Sequence, residues 1–328
     1  MLTPDISIVI PSYNRSSMLL QTLHCLAHQD TGAAFTYEIV VLDDMSDDDT
    51  PEVVRKFAAL STVLVRYVLG EGMGYTHALN SGVEASRGRY IAFFDDDQLT
   101  HEHWLSALYR VAVDKGADLV GGPIALRIAP EVHDKMGPVY RDMCGETHDI
   151  IFPDKYIDTD PLPAGGNRLV KREVFEQVGA FDENMLTGGC DRDFLLRALF
   201  AGFSPGWAKG GDIEHVIAVD RITPERMKWY SLQWGCSFAY IDWKRWGKIK
   251  TTMAAVARIG QALLVHFPLS LCYQVLGNEI QLCDRRALLW RAVGYVRKTL
   301  GLLFPIILSQ RKFFSTVEFR RGRADEAP

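Results

Sequence analysis

Residues Asp95, Asp96 and Asp97 set three carboxylates side by side, directly behind the apolar run Tyr90-Ile91-Ala92-Phe93-Phe94. Adjacent carboxylates repel one another, and a cation relieves that repulsion. In extended backbone Asp95 and Asp97 point one way and Asp96 the other. One side of the chain then offers a hard divalent ion one or two oxygens and leaves its other positions to water and phosphate, as magnesium-type ions are usually held. The alternative is a solvated acidic loop. A second acidic pair, Asp43-Asp44, also ends an apolar run.

Short, uninterrupted, aromatic-rich or β-branched runs read as buried strands. They fall at residues 6–10, 37–42, 63–68, 90–94 and 118–121. Helical patterns separate them at 16–28, from Thr50, at 75–86 and at 102–115. Thr50 is expected to cap its helix, with Pro51 at the first helical position. Repeated β-α alternation predicts the α/β class: a mainly parallel sheet with helices on both faces. In such sheets ligands bind at the carboxyl ends of the strands. The polar loop Pro11-Ser12-Tyr13-Asn14-Arg15 and both acidic clusters should therefore build one crevice. The loop with Gly70, Gly72 and Gly74 lacks the G-x-G-x-x-G and P-loop patterns, which argues against a dehydrogenase or an ATPase.

The 328 residues, 48% of them hydrophobic, suffice for one large domain with an appendage or for two medium domains. The net charge of −5 conceals a split. Residues 244–323 hold 15 Lys and Arg against 3 Asp and Glu, a net of +12, whereas residues 1–243 carry −15. Six cysteines without a C-x-x-C pair fit a reducing compartment. The N-terminus has no basic region and only a five-residue apolar run, so it does not read as a signal peptide. Residues 252–277 are apolar but hold Arg258, Gln261, His266 and Pro268. Residues 287–308 are apolar but hold Arg291, Arg297, Lys298 and Pro305. Both are taken as too interrupted to span a bilayer. They read as interfacial helices on an anionic membrane or, equally, as a helical pair packed on the body or across a homodimer. No nucleic-acid motif accompanies the basic residues.

Several motifs, in order, resemble the nucleotide-sugar domain of family 2 glycosyltransferases of the GT-A fold. They are Ile8-Val9-Ile10-Pro11-Ser12-Tyr13-Asn14-Arg15, Val40-Val41-Leu42-Asp43-Asp44, Gly88-Arg89-Tyr90 through Asp97, Ala164-Gly165-Gly166-Asn167, Val178-Gly179-Ala180-Phe181-Asp182-Glu183 and Gly188-Gly189-Cys190-Asp191-Arg192-Asp193. They cover roughly residues 5–220. The resemblance implies a catalytic domain at 1–243, with its nucleotide-sugar part at about 1–125 and its acceptor part at about 126–243. A basic, amphipathic helical region follows at 244–328.

The same resemblance implies roles. Pro11, Tyr13, Asn14, Arg15, Asp44, Asp95 and Asp96 line the donor site, with Asp44 on the base and Asp95 toward the ribose. Asp97, with Asp95, holds Mn2+ or Mg2+. Gly165, Gly166 and Asn167 line the sugar and acceptor side, and Asp191 stands at the position of the general base. Asp193 is the rival base. His215 is either a metal ligand or structural. Independently of the resemblance, Arg221, Arg226 and Lys228 read as meeting the diphosphate or the acceptor or, as the simpler reading, as lying on a solvated helix. This sequence departs from the family pattern at Met45, often Gly; at Gln98, often a fourth acid; at Cys190, often Glu; and at Leu79, often Arg. The implied reaction is inverting transfer of a sugar from a nucleotide-diphosphate sugar to the hydroxyl of a saccharide or lipid-linked acceptor, in polysaccharide or glycoconjugate synthesis. The expected setting is the cytoplasm or the inner membrane face. A nucleotidyltransferase using the same acidic site, or a nucleotide-sugar binder without turnover, are the alternatives.

Overall fold

The computed structural model of the protein describes residues 3–148, 150, 162, 165–185 and 188–305. Of the sequence features above, Ala164 and the basic tail beyond residue 305 lie outside them. Strands β1 (Ile6–Ser12), β2 (Tyr37–Asp43), β3 (Leu64–Leu69) and β4 (Tyr90–Phe93) alternate with helices α1 (Ser16–Ala27), α2 (Thr50–Leu60) and α3 (Tyr75–Ala85). Then come β5 (Gln98–Thr100), α4 (Trp104–Asp114), β6 (Leu119–Gly121), β7 (Ile124–Arg127), α5 (Pro130–His133) and α6 (Pro138–Met143). The body closes with β8 (Arg168–Lys171), α7 (Arg172–Val178), α8 (Cys190–Phe200), β9 (Pro205–Trp207) and β10 (Ile213–Val216).

The main sheet has the order β3-β2-β1-β4-β8-β6-β9. Its first four strands are parallel, and β8 runs antiparallel to both β4 and β6. The period-2 alternation of β1 and β4 splits the core in two. Ile8, Ile10, Ala92 and Phe94 face α1 and α4, while Val9, Ile91 and Phe93 face Phe175, Phe181 and Phe194. Register matters for function: Ser12 pairs with Asp43, and Phe93 with Arg168. The loops after β1, β2 and β4 and the loop before β8 therefore meet at one edge. A small sheet of order β5-β10-β7 stands beside that edge and carries His215 opposite Gln98.

Thr50 is the first residue of α2 rather than its cap. The nearby work falls to Asp48, whose carboxylate accepts hydrogen bonds from Thr50 N and Ser16 N, both at 2.9 Å, and so pins the starts of two helices.

The C-terminal helices are α9 (Pro224–Gln261), α10 (Phe267–Val275) and α11 (Glu279–Leu303), with a π-helical turn at Ala262–His266. Gly247, at φ 74°, interrupts α9. Tyr295 donates to Asp242 Oδ2 at 2.6 Å, and the Arg258 guanidinium lies 4.2 Å over its ring. An unbroken helix would set residues 242 and 258 about 24 Å apart, so the chain doubles back at Gly247. Helix α11 returns to the first half of α9. A Cβ on Gly235 would lie 2.0 Å from the Arg291 carbonyl oxygen, and one on Gly294 2.0 Å from that of Leu232. Only glycine permits so close a backbone crossing. Asp284 of α11 also accepts from Val139 N and Tyr140 N at 3.2 Å, capping α6. The expected division at residues 243 and 244 lies close to the break at Gly247, and α11 packs on residues that precede it.

The sequence expectation of an interrupted C-terminal stretch is corrected on one point. Residues 259–278 contain no Asp, Glu, Lys or Arg, and the helical run ending at Val275 is long and apolar enough to cross a membrane by length and composition. Most of this apolar stretch is not buried inside the protein. Ile249, Met253, Val256, Leu263, Leu264, Phe267, Leu271 and Val275 are exposed along it.

Candidate active site

The acidic triplet leaves β4 in a turn rather than in extended chain, with Gln98 N donating to Asp95 O at 3.2 Å. The simple up-down alternation of the three side chains is therefore lost. Asp96 accepts from Ser12 Oγ at 2.8 Å and from Arg15 Nη1 at 3.1 Å, so it clamps the β1 loop to the β4 turn. Asp97 Oδ2 lies 2.5 Å from Arg15 Nη1, 3.0 Å from Arg221 Nη1 and 3.4 Å from His215 Nε2. Burial opposes its charge, but His215, Arg15 and Arg221 together hold its carboxyl well below the usual range. Arg221, which the sequence left on either a ligand or a solvated helix, faces this carboxylate.

Asp95 behaves oppositely. Burial, then the charges of Asp97 and Asp96, push its carboxyl up to about 6, against the pull of His215 and of a hydrogen bond from Tyr75. Tyr75 Oη donates to Asp95 Oδ1 at 3.1 Å. Gln98 accepts from Asp95 N at 3.0 Å and donates to Asp95 Oδ2 at 3.1 Å. A fourth acid at position 98 would lack the donor and add a like charge, which accounts for the neutral amide here. Gly166 touches the same group: a Cβ there would come within 2.5 Å of Asp95 Oδ2.

His215 faces Cys144 O with Nδ1 at 2.9 Å. That contact orients the ring with Nε2 toward Asp97, the outer-shell arrangement that metal-binding histidines use. Burial disfavours its charge, yet Asp97 holds its pKa above the ordinary value. Among the described residues no three His, Cys, Asp or Glu side chains form a ready metal cluster. The pair Asp97–His215 nevertheless suits one cation: two ligands of an ion bound at about 2.1 Å lie about 3 Å apart, close to the 3.4 Å seen. Asp95 beside them adds a carboxylate that the charges of Asp97 and Asp96 push up and that a cation would relieve.

The β2 loop supplies Asp44, which is buried and accepts from Gly74 N at 2.9 Å, at the start of α3. Asn14 and Met45 both take left-handed backbone, at φ 51° and 65°. The value at Met45 accounts for a preference for glycine at that place. Asn14 accepts from Asp47 N at 2.9 Å and its own N–H donates to Ser46 Oγ at 2.9 Å, so it ties two loops together. Pro11 is buried within β1, and Tyr13 and Arg15 lie partly buried beside it. Gly165 takes φ 70° against Ile124. Asn167, expected to line the sugar side, has no exposed surface. Its amide accepts from Trp104 Nε1 at 2.8 Å and donates to Gly211 O at 2.7 Å and Pro123 O at 3.0 Å. It is a structural hub, because both its donors and its carbonyl oxygen are engaged by the frame.

The two rival bases separate cleanly. Asp193 is 2% exposed and accepts from Arg197 Nε at 2.9 Å and Lys244 Nζ at 2.8 Å. Asp191, 28% exposed in its side chain, has Arg168 Nη1 at 3.8 Å. It opens into a cavity of about 750 Å³ together with Tyr75, Gly188 and Gly189. Helix α9 holds that loop, since Ser237 Oγ donates to Gly188 O at 2.8 Å. Sequence reasoning missed Tyr75, which touches Asp95 and reaches the cavity of Asp191. It also missed Arg168, a buried cation packed on Phe93 and Phe181, and the far wall of the cavity, which comes from α9 and α11. An aromatic at a helix start and an arginine opening a strand carry no local signal of such placement.

Comparison with known proteins agrees with this geometry. The sequence model of the family described as Glycosyl transferase family 2 matches residues 7–179. Relatives include glycosyltransferase AglE of Haloferax volcanii, 29% identical over 61% of this chain, chondroitin synthase of Escherichia coli, 37% over 35%, and the poly(ribitol-phosphate) beta-N-acetylglucosaminyltransferase TarP of Staphylococcus aureus, 29% over 36%. This chain spans 63%, 17% and 36% of their respective lengths. Among solved structures, the mannosyltransferase PcManGT from Pyrobaculum calidifontis, in complex with GDP-Man and Mn2+, superposes with a TM-score of 0.61 at 17% identity, over 90% of this chain and 88% of that one. TarS 1-349 of S. aureus in complex with UDP gives 0.51 at 15%, covering 91% of each. These likenesses identify the fold as GT-A.

Proposed function

Since the chain belongs to glycosyl transferase family 2 and is a glycosyltransferase, we propose that it moves a sugar from a nucleoside-diphosphate donor to an acceptor hydroxyl with inversion, Asp191 acting as base. The observation that carries this reading is Tyr75, which donates to Asp95 of the acidic crevice and also lines the cavity of Asp191. Asp191 takes the acceptor proton as the acceptor oxygen attacks the anomeric carbon. The bond from that carbon to the diphosphate oxygen breaks in the same displacement, and one displacement inverts the centre. Asp44 and Asp95 are assigned to base and ribose. Arg15 and Arg221, already at the crevice, meet the diphosphate. Asp97 and His215 would hold Mn2+ or Mg2+, whose chemistry when bound is Lewis-acid stabilisation of the leaving diphosphate. Manganese beside GDP-Man in one fold relative and UDP in another supports a guanine or uracil donor.

The exposed apolar stripe from Ile249 to Val275 is assigned to a bilayer. Monomers rarely expose so long a contiguous patch, and Lys248 and Lys250 at its start match an anionic leaflet. The protein then works at the cytoplasmic membrane face in polysaccharide or glycoconjugate synthesis. The deciding experiment is a panel of UDP- and GDP-sugars with and without Mn2+, read as nucleoside diphosphate release. Release of pyrophosphate instead would identify a nucleotidyltransferase and overturn the reading.

A further inference from the structure

The cavity of Asp191 has a far wall that donor binding does not explain. Trp234 and Phe238 of α9 meet edge to face, with ring centroids 5.8 Å apart. Arg291 of α11 lies over both rings, 5.0 Å and 5.9 Å from their centroids, and Arg192 of α8 lies 5.5 Å from Phe238. Two guanidinium groups thus converge on one aromatic ring inside the cavity. Nε and Nη2 of Arg291 are shielded from solvent and donate to no acceptor among the described residues. Buried donors are almost always satisfied, and idle donors on this half-buried cation, whose side chain lines the cavity, point to a ligand that completes them.

The acids of the wall do not do so. Glu146 is engaged by His133 at 3.1 Å and Arg141 at 3.5 Å. Burial pushes the Asp142 carboxyl up, although Arg291 and Arg192 pull it back. Two planar forks and an aromatic floor fit a phosphate group, which offers several oxygens and up to two charges, better than a single carboxylate. Resting on the glycosyl-transfer reading above, we propose that the acceptor carries a phosphate, seated on Arg192 and Arg291, with its adjoining ring or chain on Trp234. A soluble sugar phosphate and a prenyl-linked phosphate share this chemistry.

The test is calorimetric titration of the full-length protein with matched probes: glucose 1-phosphate against methyl glucoside, and farnesyl phosphate against farnesol. UDP and GDP serve as donor-site references. The phosphate member of at least one pair should bind about 10-fold tighter or more, the scale of one charge-assisted hydrogen bond. The responding pair identifies the source. The preference should fall in Arg291→Gln and Arg192→Gln and persist in part in Arg291→Lys, with nucleoside diphosphate affinity unchanged. Arg192 and Arg291 are both only partly buried, and either Gln variant decides the matter if the other does not fold. Equal affinity within both pairs, a preference surviving both Gln variants, or displacement of the phosphate probe by UDP and GDP overturns the proposal. A wild-type protein that binds neither UDP nor GDP refutes the donor-site reading instead, and the paired titrations still score the phosphate.

Discussion

Asp191 and Asp193 stand two residues apart in the first turn of α8, and replacing each by Asn separates their jobs. Asn at 193 keeps the volume but removes the charge that Arg197 and Lys244 share. Removing one partner of a fully buried ion pair costs about 3–5 kcal/mol. Here the two cations stay 28% and 31% exposed, and Lys244 keeps Asp182 at 2.7 Å. Water and Asp182 therefore absorb part of the loss, leaving about 2 kcal/mol. At about 2.1 cal/mol/K of unfolding entropy per residue, a chain of 328 residues shifts by roughly 1.5 °C per kcal/mol, so Asp193→Asn should lower the melting midpoint by about 3 °C. Asp191 lies 3.8 Å from its nearest cation, beyond hydrogen-bond length, and opens into the cavity. Asp191→Asn takes the carboxylate at 3.8 Å away from the buried Arg168, so it should cost about 1 kcal/mol, less than Asp193→Asn, and lower turnover about 100-fold or more, with donor affinity intact. Thermal melts and nucleoside diphosphate release on the same preparations measure both quantities. An inactive Asp193→Asn with an unchanged midpoint, beside an active Asp191→Asn, would refute the assignment of the base.

Other outcomes follow from the same geometry. Asp97→Asn should weaken Mn2+-dependent donor binding while the fold survives; unaltered Mn2+-dependent affinity in titration would remove Asp97 from the metal site. The Asp48 carboxyl is held below its ordinary pKa by Thr50 and Ser16, against burial. Its contribution to stability is therefore complete above the unfolded carboxylate value of about 4 and lost as pH falls through the lower folded value. Urea unfolding from pH 6 to 3 should show a shallower acid limb for Asp48→Ala, and parallel curves would contradict this. Leu264→Glu, on a side chain 80% exposed, should leave the melting midpoint unchanged and reduce co-sedimentation with anionic vesicles. A drop in oligomer size without any vesicle effect would assign the stripe to a second copy of the chain.

The α/β order and the crevice were legible in the sequence because both are local signals. Apolar runs of strand length ending in Asp43-Asp44 and Asp95-Asp97, separated by helical periods, state where strand ends and carboxylates lie. Register then brings those ends together with little freedom. What the carboxylates do was decided elsewhere. Arg221 reaches Asp97 across 124 residues and Lys244 reaches Asp193 across 51, and no spacing rule foretells such pairs. Their arrival makes Asp193 a structural anchor and leaves Asp191 facing the cavity. Asn167 read as a ligand by its motif, but packing closed over it and spent its hydrogen bonds on Trp104, Pro123 and Gly211. The C-terminal region, set apart by its basic charge, read equally as interfacial helices and as a pair packed on the body or across a homodimer. The reversal at Gly247 and the glycine crossing of α9 and α11 fold part of it back into the cavity wall. Local periodicity fixes elements and their polar ends, whereas the partners of a buried charge depend on which distant segments packing brings within a few ångströms.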